Sequence, residues 1–304
     1  MMKLLKYLII TGIMSLVTVA PALADIVSAD FESPNFGPGS VNNQDGWKSA
    51  VGVDQAVVTN TFGFDSFGSQ SWRISNAFTS DDPTAQTFAR SLINPVGEST
   101  AVGTISPCGT RQTHFEMSFD ISSATSSAQP GLSLVVAPAS YGGQKMSYLR
   151  FEDQQGGIEG FFIYYFFGRF IPTQFGVDFD RFSSRNIKLT IDVNESQPYD
   201  DVVTVYVNNQ FVLSAFSWEG YYPFPPLINT VMFETSGIAA DTVGKGFIID
   251  NLIFSSPGDI VSGPTDKSQC KKDGWQQLPL FSQFGFKNQG ECVSYVIHHP
   301  FICG

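Results

Sequence analysis

Histidine is scarce in this chain, with three in 304 residues: His114, His298 and His299. Such a supply leaves little for a Ser-His-Asp triad, an imidazole-ligated zinc hydrolase or a histidine-assisted eliminase. The strings G-x-S-x-G, H-E-x-x-H and the P-loop are absent too. Charge is also thin at 15% of residues and is lopsided, with 28 acids against 17 bases and a formal net charge of -11. An acidic chain repels phosphate backbones, so nucleic acid is not an expected partner. Long apolar runs are missing after the first two dozen residues, so no stable membrane anchor is expected in the remainder.

The opening "MMKLLKYLIITGIMSLVTVAPALAD" places Lys3 and Lys6 before an uncharged apolar run from Tyr7 to Ala20, followed by the small-residue site Ala22-Leu23-Ala24. This is the three-part layout of a secretory signal peptide over residues 1–24, and a 14-residue run is short of the roughly 20 that a spanning helix needs. The expectation is a secreted protein, extracellular or periplasmic, beginning at Asp25. Loss of the two lysines with no acid moves the formal charge from -11 to -13, which serves solubility.

What the chain has in quantity is phenylalanine, 28 of them, with abundant glycine and proline. Several segments alternate apolar and polar residues with period two, the signature of strands with one buried face. "NIKLTIDVN" turns Ile187, Leu189, Ile191 and Val193 one way, and "HFEMSFDIS" does the same with Phe115, Met117, Phe119 and Ile121. "DVVTVYVNNQFVLSAF" predicts two strands around Asn208-Asn209, residues that tolerate the positive φ of a tight hairpin. "QSWRIS", "GLSLVVA", "KMSYLRFED", "TVMFET" and "GFIIDNLIFS" add further strands. "GFFIYYFFGRF" is apolar on both faces and fits a strand at the centre of a sandwich. Helical periodicity with caps is nearly absent. A dozen or so strands over one long stretch predict an all-β sandwich of two antiparallel sheets.

After Phe254 the run "SSPGDIVSGPTDKSQ" reads as a linker. The expected organisation is a β-sandwich domain over residues 25–256, a linker over 257–268 and a small cysteine-containing tail over 269–304. In that tail Cys270 and Cys292 stand 22 positions apart with no CxxC partner. In a protein that leaves the cytoplasm this favours a disulfide over a zinc site, worth roughly 3 kcal/mol to the tail by chain entropy. Four cysteines allow three connectivities, so whether Cys108 pairs with Cys303 stays open.

"CKKDGW" followed by "FGFKNQGECVSYV" resembles a short cysteine motif at the C-termini of bacterial secreted proteins, with Asp273 in place of a glycine. The resemblance implies a bacterial exported protein and supports the Cys270–Cys292 pair, and it carries no catalytic activity. The segments "DFESPNFGPGSVNNQDGW", "GSQSWRISN", "GGQKMSYLRFEDQQGGI" and "DDVVTVYVNNQFVLSAFSWEGYY" together resemble bacterial secreted proteins of the concanavalin A-like, laminin G-like type. That likeness implies a jelly-roll, a fold that hosts lectins, glycan-binding modules, glycosidases and polysaccharide lyases.

Three groups of residues follow as candidates. "SWEGYYPFPP" concentrates Trp218, Tyr221 and Tyr222 in a proline-rich loop, and aromatic rings cover the C–H faces of sugars. "SYLRFED" adds Tyr148 and Arg150 on one strand face, the residue types that lyases of this fold use. Jelly-rolls often pair their first and last strands around a calcium ion, and "ADFES" with "IIDNLIF" resembles those edges, pointing to Asp30, Glu32 and Asp250 as its ligands. For catalysis, the E-x-D-x-x-E motif of concanavalin-like glucanases is missing, and Glu116 and Asp120 share a polar strand face without it. The resemblance therefore leads to a non-catalytic protein that binds a polysaccharide or surface glycan. A glycan-active hydrolase or lyase is the enzymatic rival, and a matrix or adhesion protein the structural one.

Overall fold

The computed structural model describes residues 26–64, 66–78, 84–92, 110–112, 114–140, 142–193, 200–222, 228–236, 244–256, 258–260, 270–271 and 288–298. The expected signal segment, Cys108, Cys303 and most of the tail lie outside these residues.

Seventeen strands are described. They run as β1 (Ile26–Ala29), β2 (Lys48–Ser49), β3 (Val53–Thr59), β4 (Gln70–Phe78), β5 (Thr84–Phe88) and β6 (Thr110–Gln112). Next come β7 (His114–Ser123), β8 (Ser133–Ala139), β9 (Tyr148–Asp153), β10 (Ile158–Phe166) and β11 (Arg169–Phe179). The last are β12 (Arg185–Asp192), β13 (Val202–Val207), β14 (Gln210–Phe216), β15 (Thr230–Ser236), β16 (Phe247–Ser255) and β17 (Gly258–Ile260). One sheet has the order β14-β13-β12-β7-β16-β4-β3 with β1 added against β16, and the other has β11-β10-β9-β8-β15-β5-β2. Every pairing is antiparallel. The molecule is the two-sheet sandwich that the alternation predicts.

The inward sets of the predicted strands are the core. Ile187, Leu189 and Ile191 on β12 and Phe115, Met117, Phe119 and Ile121 on β7 are all buried, and each removes an apolar side chain from water at a gain of about 1.5–3 kcal/mol. Much of the phenylalanine and tryptophan is spent here: Phe31, Trp47, Trp72 and Phe233 meet at centroid distances of 4.8 to 5.9 Å. The Trp72 indole N–H donates to Gln55 Oε1 at 3.0 Å, satisfying the polar atom that burial of tryptophan brings with it. Asn208 and Asn209 take φ of 50° and 62° and close the β13–β14 hairpin as expected.

Two expectations are corrected. The apolar run "GFFIYYFF" is β10, which lies next to the edge strand β11 and not at the centre of its sheet. Its second apolar face is buried by the loop that carries Trp218, whose indole donates to the Ile163 carbonyl at 2.9 Å. The predicted linker begins as strand, since β17 pairs with β6 through Gly258↔Gln112 and Ile260↔Thr110.

The tail is stapled by the Cys270–Cys292 disulfide. Its second cysteine sits in a helix that the sequence did not announce, α1 (Gln289–His298). Asn288 caps α1, its side-chain oxygen accepting the Glu291 N–H at 3.0 Å. No helix among the described residues is long and apolar enough to cross a membrane.

Candidate functional site

The seven-stranded sheet turns one face to the core and the other outward. On β9, "YLRFED" alternates half-buried and buried, so Leu149 and Phe151 point inward while Tyr148, Arg150 and Glu152 point outward. Register then decides their neighbours. Gln174, Phe161, Arg150, Val135, Glu234 and Gln86 lie directly opposite one another in turn across β11, β10, β9, β8, β15 and β5. A single row across six strands thus carries two amides, an aromatic ring, a guanidinium and a carboxylate.

The Arg150 guanidinium lies over the Phe161 ring, 4.9 Å from its centroid. Its Nε is 3.0 Å from Glu152 Oε1, yet the two are not aligned as a hydrogen bond, and that buried N–H has no acceptor among the described residues. The contact is an ion pair only, and the Arg150 side chain stays about one-third exposed. Glu234 is held differently, by Lys145 Nζ at 2.9 Å and by the Gln86 amide at 2.9 Å. The Lys145 ammonium also lies 5.5 Å from the centre of the Tyr148 ring. Burial pushes the Tyr148 hydroxyl above the ordinary tyrosine value, with Arg150 working against the rise and Glu234 with it. Glu152 faces Glu159 directly across β9 and β10.

The predicted aromatic loop folds onto this same face. Trp218 is 6% exposed, and its backbone N–H donates to the Met146 carbonyl at 2.7 Å. Its ring meets Tyr148 at 5.2 Å and Phe170 at 4.5 Å. Trp218 is therefore a bolt that fixes the loop to the sheet. The Tyr222 hydroxyl accepts the Lys145 backbone N–H at 3.1 Å, and burial raises its pKa. Tyr221 is 48% exposed and packs on Tyr165 and Phe170 at 5.3 and 5.0 Å. So Tyr148, Arg150, Trp218 and Tyr221 converge on one outer face, with Tyr221 and Phe170 presenting rings to solvent, while Tyr222 packs against the core between the sheets. Phe161, Phe170, Glu234, Gln86 and Gln174 join them through strand pairing, and Lys145 through its ion pair with Glu234.

At the opposite sheet, β1 pairs with β16 as the resemblance implies, Ala29 opposite Leu252. The register of β16 against β7 shifts between Asp250 and Ile253, where Asn251 takes φ of 51°. This irregularity turns the Asp250 carboxyl into the protein, where it accepts N–H from Asn251 at 2.8 Å and Gly68 at 3.3 Å. Burial pushes its pKa up to about 7, those donors oppose the rise, and the nearby Glu32 carboxylate adds to it. Burial of Glu32 also acts upward, but donors from Ser69 and Gln70 outweigh it and hold that carboxyl low. Gly68 packs so closely against Glu32 that a side chain there would collide with the carboxylate. Asp30 is not part of this pair; its carboxylate accepts the Glu32 N–H at 3.1 Å.

Among the described residues, Asp200, Asp201 and Glu219 form the one group of three acidic side chains whose oxygens lie within 4.8 Å of one another, an arrangement that can hold a metal ion. Glu116 and Asp120 sit on the outer face of the eight-stranded sheet. Glu116 is paired with Lys188 at 2.8 Å, and Asp120 accepts from Asn186 and Asn251 at 2.8 and 2.9 Å.

No protein-family model matches the chain, and no curated protein matches it in sequence. Solved structures similar to it include a sialidase, at 13% identity and a TM-score of 0.45 over 81% of this chain. The match spans 19% of the sialidase chain, about a fifth of its length. The alginate lyase Aly36B is similar at 12% identity and a TM-score of 0.45, covering 77% of this chain and 97% of its own. The globular domain of T. cruzi calreticulin is similar at 9% identity and a TM-score of 0.44, covering 76% and 87%.

Proposed function

We propose that this is an exported, non-catalytic glycan-binding protein whose ligand lies on the outer face of the seven-stranded sheet. One observation carries the reading: Arg150, packed over Phe161 with its side chain about one-third exposed, stands on the same face as the exposed rings of Tyr221 and Phe170. Sugars need both elements, rings for their C–H faces and planar polar groups for their hydroxyls. The carboxylates of this face support binding over turnover, because Glu152 and Glu234 are each held by a cation.

A hydrolase is favoured by one specific feature, the direct opposition of Glu152 and Glu159, since paired carboxylates about 5 Å apart serve retaining glycosidases. Incubation of residues 25–304 with a polysaccharide panel separates the two readings. Retention without new reducing or unsaturated ends fits the binding protein; new ends from any polymer overturn it.

A structural calcium ion belongs to the same proposal. Glu32 and Asp250 fit it: a buried carboxyl whose pKa is driven to about 7 beside a second carboxylate is a place that calls for added positive charge. The ion would tie β16 to the segment after β1, contributing to the fold without taking part in ligand chemistry.

A further inference from the structure

We propose that the cleft between the two sheets, where β10 meets β14, binds a small, flat, uncharged apolar molecule of about two fused rings. The site is separate from the outer face and independent of the glycan reading. β14 is the outermost strand of its sheet and β10 is covered only by β11, so the sandwich is open along this side. Phe162, Tyr164 and Phe166 line one wall, and Leu213, Ala215 and Phe216 line the other, around a cavity of about 300 Å³.

Size, wall geometry and charge each narrow the occupant. Apolar cavities of about 150 Å³ take up a benzene ring and stay dry otherwise, so about 300 Å³ is room for roughly two rings. Aromatic rings dominate the lining: Phe162 and Tyr164 on one wall lie 12° apart at 6.1 Å, while Phe166 and Phe216 stack on each other across the cleft, 4° apart at 5.2 Å, and close one end of it. Such an aromatic lining favours an aromatic, hence flat, guest that can pack against the remaining rings. Among the described residues no charged side chain lines the cleft, so a charged guest would lose its hydration without compensation. The polar side chains are three hydroxyls, of Tyr164, Thr173 and Ser214. Ser214 is engaged with Thr204 and the Val203 carbonyl at 3.3 and 3.2 Å, whereas Thr173 lies exposed where a single hydroxyl or carbonyl of the guest can meet it. A sugar, which needs many fixed partners, does not fit such walls.

The test titrates 2-naphthol into residues 25–304, read by calorimetry and by saturation-transfer NMR, with 1-naphthoate as the charged counterpart. Expected is saturable binding of one molecule per chain, with 1-naphthoate at least about tenfold weaker. Ala215→Phe fills the cleft and Thr173→Trp blocks its mouth from an exposed position that folding tolerates; either should weaken 2-naphthol about tenfold or more. Phe211→Ser, which removes an exposed ring 64% accessible elsewhere on β14, should leave binding unchanged. Absence of saturable binding, or binding that both cleft variants leave intact, overturns the proposal. Equal loss with Phe211→Ser would also overturn it, by showing general surface adsorption.

Discussion

Arg150 and Phe161 stand directly opposite each other on β9 and β10, and the guanidinium carbon lies 4.9 Å from the ring centre. The ring supports the planar cation, and a guanidinium supported in this way can offer two parallel donors to a ligand, as bidentate recognition requires. Arg150→Ala should weaken glycan binding about tenfold, and Arg150→Lys should recover little of it because an ammonium has no plane to stack. Affinity chromatography on the retained polysaccharide measures both.

Trp218 and Tyr221 are neighbours in sequence with opposite roles. Trp218→Ala removes a buried ring and the bond to Ile163, so it should cost about 3 kcal/mol in a denaturant titration and loosen the whole loop. Tyr221→Ala should leave stability within about 0.5 kcal/mol while lowering retention. Equal effects of both on stability would remove Tyr221 from the ligand surface.

Calcium at a hundred times its Kd should raise stability by about 3 kcal/mol, and chelation should reverse the gain. Asp250→Asn should abolish the response in thermal melts. A response kept by that variant and lost with Glu219→Gln would instead move the ion to the Asp200–Asp201–Glu219 group.

Asp54 governs an acid limb. Its carboxylate is bidentate to Arg73 at 2.7 and 2.9 Å and also accepts from Ser75 and Gly244. Burial alone would raise its pKa, but Arg73 and these donors hold it below the ordinary value. A depressed carboxyl contributes stability that is complete above the unfolded value near 3.8 and is lost as pH falls through the lower folded value. Denaturation midpoints should therefore drop below about pH 4, and Asp54→Asn, which strands a buried Arg73, should cost about 3 kcal/mol at pH 7 and flatten that limb.

Reduction of Cys270–Cys292 should leave the melting of the sandwich unchanged while exposing the tail to limited proteolysis, since the disulfide closes a loop within the tail. A large fall in the main melting transition would show that the tail is part of the sandwich core.

Alternation made the strands and their inward residues legible, because burying one face imposes period two on β7, β9 and β12. The same signal is silent on which strands are neighbours. Tyr148 and Arg150 could be named from one strand, whereas Phe161, Glu234 and Gln86 became part of the site only through register across four ladders. β10 misled for a related reason: two apolar faces announce burial on both sides, and a covering loop achieves that as well as a central position does. Trp218 was named from its loop as a ligand contact, and no local pattern says whether a loop tryptophan points outward or anchors, as this one does at 6% exposure. Likewise α1 is short, and its Asn288 cap is readable only once the disulfide beside it fixes where the helix begins.

The most direct test of the central claim compares polysaccharide retention by residues 25–304 with that of Arg150→Ala and Tyr221→Ala, each checked for an unchanged melting temperature. The account predicts that the parent protein is retained by at least one polymer without generating chain ends, and that both variants elute earlier. Retention that neither variant alters, or chain ends that appear from the retained polymer, would contradict it.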